Sequence, residues 1–233
     1  DAAGNWRLHV IVQITTYLVF PLLGLLVWFT SPHWLAFEYR IGFFFLCAIS
    51  STISSSVAMT ALGRGNVAGA IFNATLSGLV GMVLTPLLMG LVLVRTGTAI
   101  AIGDQAAGIA VKLLLPFVVG QLMRSLLVGW LERHKAWVGK ADRTVIVMIV
   151  YVAFCDAAMA GTWSGNSVAG LAGMAMLDLC VLFLVLWATR RASALLGLST
   201  EDEIAAVFCG SKKSLANGAP IGKVIFGASP MLS

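Results

Sequence analysis

The chain reads as an all-α polytopic membrane protein, and three observations predict it. Only 11% of its 233 residues are charged, 59% are hydrophobic, and the mean hydropathy is +0.95. Soluble domains carry about 25% charged residues, so this chain lacks the polar groups to cover a water-facing surface. The apolar residues also run in blocks that suit helices of roughly 20 residues, the length that crosses a bilayer. The short alternating segments of about 10 residues that would mark a membrane β-barrel are not visible in the sequence.

Seven spanning blocks follow in order, at about 9–29, 41–62, 67–94, 105–124, 144–162, 168–189 and 203–228. Between the fourth and fifth, LLVGWLERHKAWVGKADR (126–143) mixes tryptophan and leucine with basic residues and reads as a helix lying in the interface. Thr200, with Glu203 three residues on, predicts a capped start for the seventh block. The chain opens at Asp1 without methionine and closes at Met231-Leu232-Ser233, which reads as a piece of a longer protein.

Charge sets the partners and the topology. The net charge is +5, but the basic residues fall in short connections and form no stripe interleaved with aromatics. The bilayer is therefore the expected partner and nucleic acid is not. The side on which the first block begins collects Arg7, Arg64, Arg124, Arg133, Lys135, Lys140, Arg143, Arg190 and Arg191, nine against Arg40, Arg95 and Lys112 opposite. The positive-inside rule makes that side cytoplasmic, in an integral protein of the cell membrane. Arg64 reads as an anchor there.

Catalytic and metal chemistry find no footing in the sequence. Cys47, Cys155, Cys180 and Cys209 lie inside apolar blocks without ligand spacing, and His9, His33 and His134 sit near block edges. Asp156 and Asp178 occupy successive helices outside any Gly-x-Gly-Asp context, and no HExxH or Ser/His arrangement occurs. No enzyme, no metal and no cofactor are expected.

Two blocks are wrong for plain helices. From Ser50 to Thr60, SSTISSSVAMT, seven of eleven residues carry hydroxyls. One or two would serve as glue between helices; seven can satisfy the backbone of an unwound stretch or ligate a cation or substrate. From Gly210 to Pro220, GSKKSLANGAP places two lysines, two glycines and a proline at membrane depth. Glycine and proline break helices, non-helical backbone survives there only under protein or water, and intramembrane charge marks function. The candidate substrate- and ion-binding residues are therefore Ser54, Ser55, Ser56, Thr60, Asn66, Asn73, Ser211, Lys212, Lys213, Ser214 and Asn217. The two blocks lie five helices apart and enter from opposite sides, which is what an inverted repeat predicts.

At GRGN (63–66), NVAGAIFNATLSG (66–78) and FCGSKKSLANGAP (208–220) the chain resembles the bile acid:sodium symporter family, in its SBF-like branch. The resemblance implies ten helices in two inverted repeats, of which seven are present. Helices 3–5 (9–94) and 8–9 (168–228) then belong to a core domain and helices 6–7 (105–162) to a panel domain, within one transporter domain over 1–233. Helices 4 and 9 are broken in that family and cross near the midplane. Its sodium-coupled members ligate sodium with residues that align here with Cys209 and Lys213, near Val57, and with Ala70 and Ala74, while Ser50 stands where a proline often opens the break.

The departures shape the expected function. A lysine ammonium is a compact cation whose protonation shifts readily on burial. Lys212 or Lys213 is expected in the space of a bound sodium, among the serines and Asn217, with proton replacing sodium as coupling ion, or else sodium itself, and Asp156 as counter-charge. Asp178 reads as locally paired. The chain is thus expected to be a secondary active transporter, symporter-like, of a small organic, anionic solute, since lysines and the positive ends of half-helices favour anions. The alternative is a membrane regulator of ion (calcium) homeostasis without classical transport, and flux in reconstituted vesicles separates the two.

Overall fold

The computed structural model describes residues 5–31, 35–95, 115, 118–120, 122–159, 161 and 168–227, and all regular structure among them is helical. Most of the fourth expected block, and Lys112 with it, lies outside the described residues.

The first block is one rod, Trp6–Thr30, long and apolar enough to cross a membrane. It consists of α1 (Trp6–Ile14), a π-helical turn (Thr15–Val19) and α2 (Phe20–Thr30). Pro21 accounts for the wide turn. Its ring has no N–H and clashes with the carbonyl four residues back, and an extra residue in the turn relieves both problems.

The second block is two half-helices, α3 (Phe37–Ala48) and α4 (Ser54–Leu62). The GRGN turn follows, with Arg64 in the left-handed region at φ 57°, and leads into α5 (Val67–Arg95). The expected interface helix is instead α6 (Arg124–Arg133) followed by α7 (Lys135–Met159). No proline falls between Lys135 and Thr144 and the single Gly139 is tolerated, so α7 runs straight on into the fifth block. Then come α8 (Val168–Leu195), α9 (Thr200–Ser211) and α10 (Leu215–Gly227). The cap of α9 falls one residue earlier than expected: Ser199, not Thr200, accepts the Asp202 N–H at 3.2 Å.

The rods Trp6–Thr30, Val67–Leu93 and Val168–Leu195 each have the length and apolarity of a membrane span. The chain is an all-α polytopic integral membrane protein. Lipid tails are as apolar as leucine, so helices associate here through close packing and small residues rather than through burial from water. Three clusters show it. Ile41, Phe44 and Ala48 of α3 meet Met89 and Val92 of α5 and Ile221 of α10. Leu8 and Val12 of α1 meet Ala70, Ala205, Ala206 and Cys209. Phe20, Phe43 and Cys47 meet Val181 and Val185 of α8. Gly81 marks a close approach of α5 to the first break, since a Cβ there would fall 2.6 Å from Ser50 Cβ.

The arginine-bearing ends gather at one end of the molecule. Arg7 donates to the Leu196 carbonyl (3.2 Å), Asn66 bonds Asp202 (2.8 Å) and Arg190 pairs with Glu203 (3.2 Å). The ends of α1, α5, α8 and α9 therefore share one side, as the count of loop charges anticipates for these helices.

Candidate functional site

Both interrupted blocks are broken, but more briefly than their sequences suggest. Between α3 and α4 only Ile49–Ile53 leaves the helix, and between α9 and α10 only Lys212–Ser214 does. The hydroxyl-rich run from Ser54 and the Asn-Gly-Ala-Pro run after Leu215 are helical. A hydroxyl in a helix can bond the carbonyl one turn back, as Thr60 does to Ser56 (2.8 Å). Many hydroxyls are thus compatible with either state.

The two breaks lie against each other and satisfy one another's backbone. The Ser214 N–H donates to the Ser50 carbonyl (2.8 Å). Ser51 Oγ donates to the Cys209 carbonyl (2.6 Å) and Ser56 Oγ to that of Phe208 (3.1 Å). Asn217 Nδ2 reaches Ser50 Oγ (3.0 Å), and Ser77 Oγ on α5 accepts the Ser51 N–H (3.0 Å). Ser214 Oγ accepts the Asn217 N–H (3.2 Å) and starts α10. Unpaired backbone groups are costly away from water, so this exchange of bonds is what lets two helices stop inside the membrane.

Lys213 fills the inner flank of the crossing. Its Nζ donates to the carbonyls of Thr16 (3.1 Å), Cys47 (2.9 Å) and Ile49 (3.0 Å) and lies 4.1 Å from the centre of the Phe20 ring. Three donors meet three acceptors. Cys47 belongs to the last turn of α3 and Ile49 caps its C-terminus, where the carbonyls carry the negative end of that helix. Thr16 belongs to the π-helical turn, where the re-registered ladder leaves its carbonyl turned to the lysine. An ammonium ringed by backbone oxygens and an aromatic face is held as a small monovalent cation would be.

Lys212 points the other way. The break is extended at Lys212 (φ −102°, ψ 140°), so adjacent side chains take opposite faces. Its ammonium lies 5.5 Å from the centre of the Phe208 ring and donates to Met59 Sδ on α4.

The other candidates separate into groups. Ser56, Ser214 and Asn217 bond across the crossing or cap it, and the serines and Asn217 face one another rather than ringing the lysine. Ser211 is buried at the end of α9. Ser54 and Ser55 lie on the exposed face of α4, and Thr60 is buried and bonded within its own helix. Asn66 joins the GRGN turn to Asp202. Asn73 is fully buried on α5 and donates to the Gly69 carbonyl (3.0 Å). Asp156 is exposed on α7, far along the chain from these breaks. Apart from Lys213, the positions expected to align with sodium ligands lie in apolar surroundings: Cys209 and Ala70 share one buried cluster, Val57 packs against it, and Ala74 is fully buried. Among the described residues no cluster of His, Cys, Asp and Glu could hold a metal ion.

Two participants escaped the sequence reading. Thr16 contributes only a backbone oxygen, which no side-chain motif reveals, although Pro21 one turn on signals the local irregularity. Phe20 looks like any apolar residue of a spanning block.

The whole chain, residues 1–233, matches the profile of the SBF-like CPA transporter family. An uncharacterised protein of Pseudomonas aeruginosa is 41% identical over 225 residues, covering 97% of this chain and 68% of that protein. The Escherichia coli protein named "Putative symporter YfeH" is 38% identical over 226 residues, with the same coverage of 97% and 68%. The mouse protein named "Sodium/bile acid cotransporter 7" is 30% identical over 247 residues, covering all of this chain and 69% of that one.

Proposed function

The chain belongs to the SBF-like CPA transporter family, and from that premise we propose that it carries a small organic, anionic solute by secondary active transport in which sodium is not bound at the crossing. The family and the named relatives are transporters and symporters, not enzymes. One observation carries the sodium-free part of the reading: the Lys213 ammonium takes the three carbonyls of Thr16, Cys47 and Ile49. A second cation at these carbonyls would meet a like charge, with all three oxygens already taken. The apolar cluster around Cys209 and Ala70 supports the same reading at the second expected position. The anionic character of the solute follows from Lys212 at the crossing and from the positive N-terminal ends of α4 and α10 beside it. The protein sits in the cell membrane with the arginine-rich side cytoplasmic.

The test is uptake into proteoliposomes. Wild-type uptake is expected to ignore a sodium gradient and to respond to a proton gradient. Lys213→Gln is expected to lose that response. Uptake unchanged in rate, pH profile and ion dependence in Lys213→Gln would sink the reading.

A further inference from the structure

We propose that Asp178, not Asp156, is the carboxylate that answers Lys213, and that a proton on Asp178 decides whether the Lys213 ammonium stays with its three carbonyls or swings to the carboxylate. This deepens, and rests on, the transport reading above.

The geometry starts from a cavity of about 170 Å³ between α2, α3, α8 and the second break. Lys213 and Ser211 line one wall, Asp178 lines another, and Phe20, Phe43 and Cys47 are among the residues that complete it. Two polar atoms there have no hydrogen-bond partner among the described residues. One is Ser211 Oγ, on a side chain only 5% exposed, and the other is the enclosed Oδ1 of Asp178. A cavity of this size admits water, which needs polar partners, and the unpartnered oxygens of Asp178 and Ser211 supply them. Asp178 and Lys213 are not yet paired: Arg190–Glu203 is the ion pair among the described residues.

An ionised carboxylate with an unpartnered oxygen at membrane depth is costly. Two things relieve it, a proton or a cation. The cation lining the same cavity is Lys213, on a flexible four-carbon stem. All three of its N–H bonds are taken, so pairing with Asp178 withdraws at least one from the carbonyls at the end of α3 and the π-helical turn. The carbonyls and the carboxylate therefore compete for one ammonium.

The proton balance is simple. Asp178 takes one proton from cavity water onto a carboxylate oxygen and returns one to water when the ammonium pairs with it. Lys213 keeps its three protons throughout. The pair carries +1 with Asp178 protonated and zero without. An anionic solute neutralises the +1 form, so solute and proton favour each other's binding reciprocally. The surroundings add few rivals. From α3, Cys47 is the other titratable side chain lining the cavity. Tyr17, in the π-helical turn, turns to Ser77 on α5. On α9, Cys209 turns to the Ala70 carbonyl. Lys212 faces α4.

The test is pH-difference infrared spectroscopy of the purified full-length protein, reading the carbonyl stretch of a protonated carboxyl group. Acidification is expected to raise one such band in wild type. Asp178→Asn is expected to lose it and Asp156→Asn to keep it. Lys213→Gln is expected to change the pH range over which the band appears, because the carboxylate loses its cation. Should Asp178→Asn fail to fold, Asp178→Glu is expected to keep the band at a shifted frequency. A band that survives Asp178→Asn, vanishes in Asp156→Asn, or ignores both Lys213→Gln and Asp178→Glu overturns the proposal. The band reports protonation whether or not solute moves. A titrating band without flux therefore removes only the transport reading, and flux without the band removes only this one.

Discussion

Lys212 and Lys213 are neighbours in the chain and opposites in the molecule. On the inner flank of the crossing, Lys213 gives each N–H to a backbone carbonyl and lies against Phe20. On the outer flank, Lys212 meets a phenylalanine ring and a thioether, neither of which neutralises or saturates it. One is a cation built into the fold; the other is a charge still free to attract. Nothing in the residue type separates them. The extended backbone at Lys212 does, by sending consecutive side chains to opposite faces. A broken helix thus makes a carbonyl-bound cation and a second cation against a ring and a thioether from one dipeptide.

The comparison breaks most directly at Lys213. Lys213→Met removes three donors and leaves three enclosed carbonyls, at about 1–3 kcal/mol for each one left unpaired. A large fall in thermal midpoint in detergent is expected, while Lys212→Met is expected to stay within about 0.5 kcal/mol of wild type. Equal falls in the two variants would mean that the flanks do not differ. Gly81→Ala attacks the crossing from α5, where the added Cβ would press on Ser50 and the Tyr17 hydroxyl. Overpacking of this kind costs about 1–3 kcal/mol, and a midpoint equal to wild type would show that the breaks are looser than the contacts imply. On the outer flank, Lys212→Met is expected to weaken binding of the anionic solute about tenfold, or about 1.4 kcal/mol, read as a raised half-saturation in uptake with stability intact. The smallest contrast is between adjacent serines. Ser56→Ala loses its bond to the Phe208 carbonyl and is expected to cost about 1 kcal/mol. Ser55→Ala, on the exposed face, is expected to cost nothing measurable by thermal denaturation.

Much of this was legible in the sequence, and the gaps have physical causes. Lysines, glycines and a proline inside an apolar block stand out, so GSKKSLANGAP located the second break. Its extent did not, because glycine and asparagine after Leu215 are tolerated in a helix whose first turn is capped by Ser214. The serine run overstated the length of the first break for a related reason: a hydroxyl satisfied one turn back leaves the helix intact. Choosing between Asp156 and Asp178 required knowing which face of α7 and α8 turns inward. Both helices are apolar on nearly all sides, so no stripe fixes their rotation. The partners of Lys213 are main-chain atoms, and main-chain atoms leave no signature in residue identity. The expectation that serines and Asn217 surround the lysine failed on that point.

The central claim is that the Lys213 ammonium occupies the place a sodium ion would take. The measurement that tests it most directly is the thermal midpoint of the purified protein as sodium replaces a bulky organic cation at constant ionic strength. The account predicts a wild-type midpoint indifferent to sodium, and a midpoint that rises with sodium in Lys213→Gln, where the three carbonyls are released. A wild-type midpoint that rises with sodium, unchanged by Lys213→Gln, would contradict it.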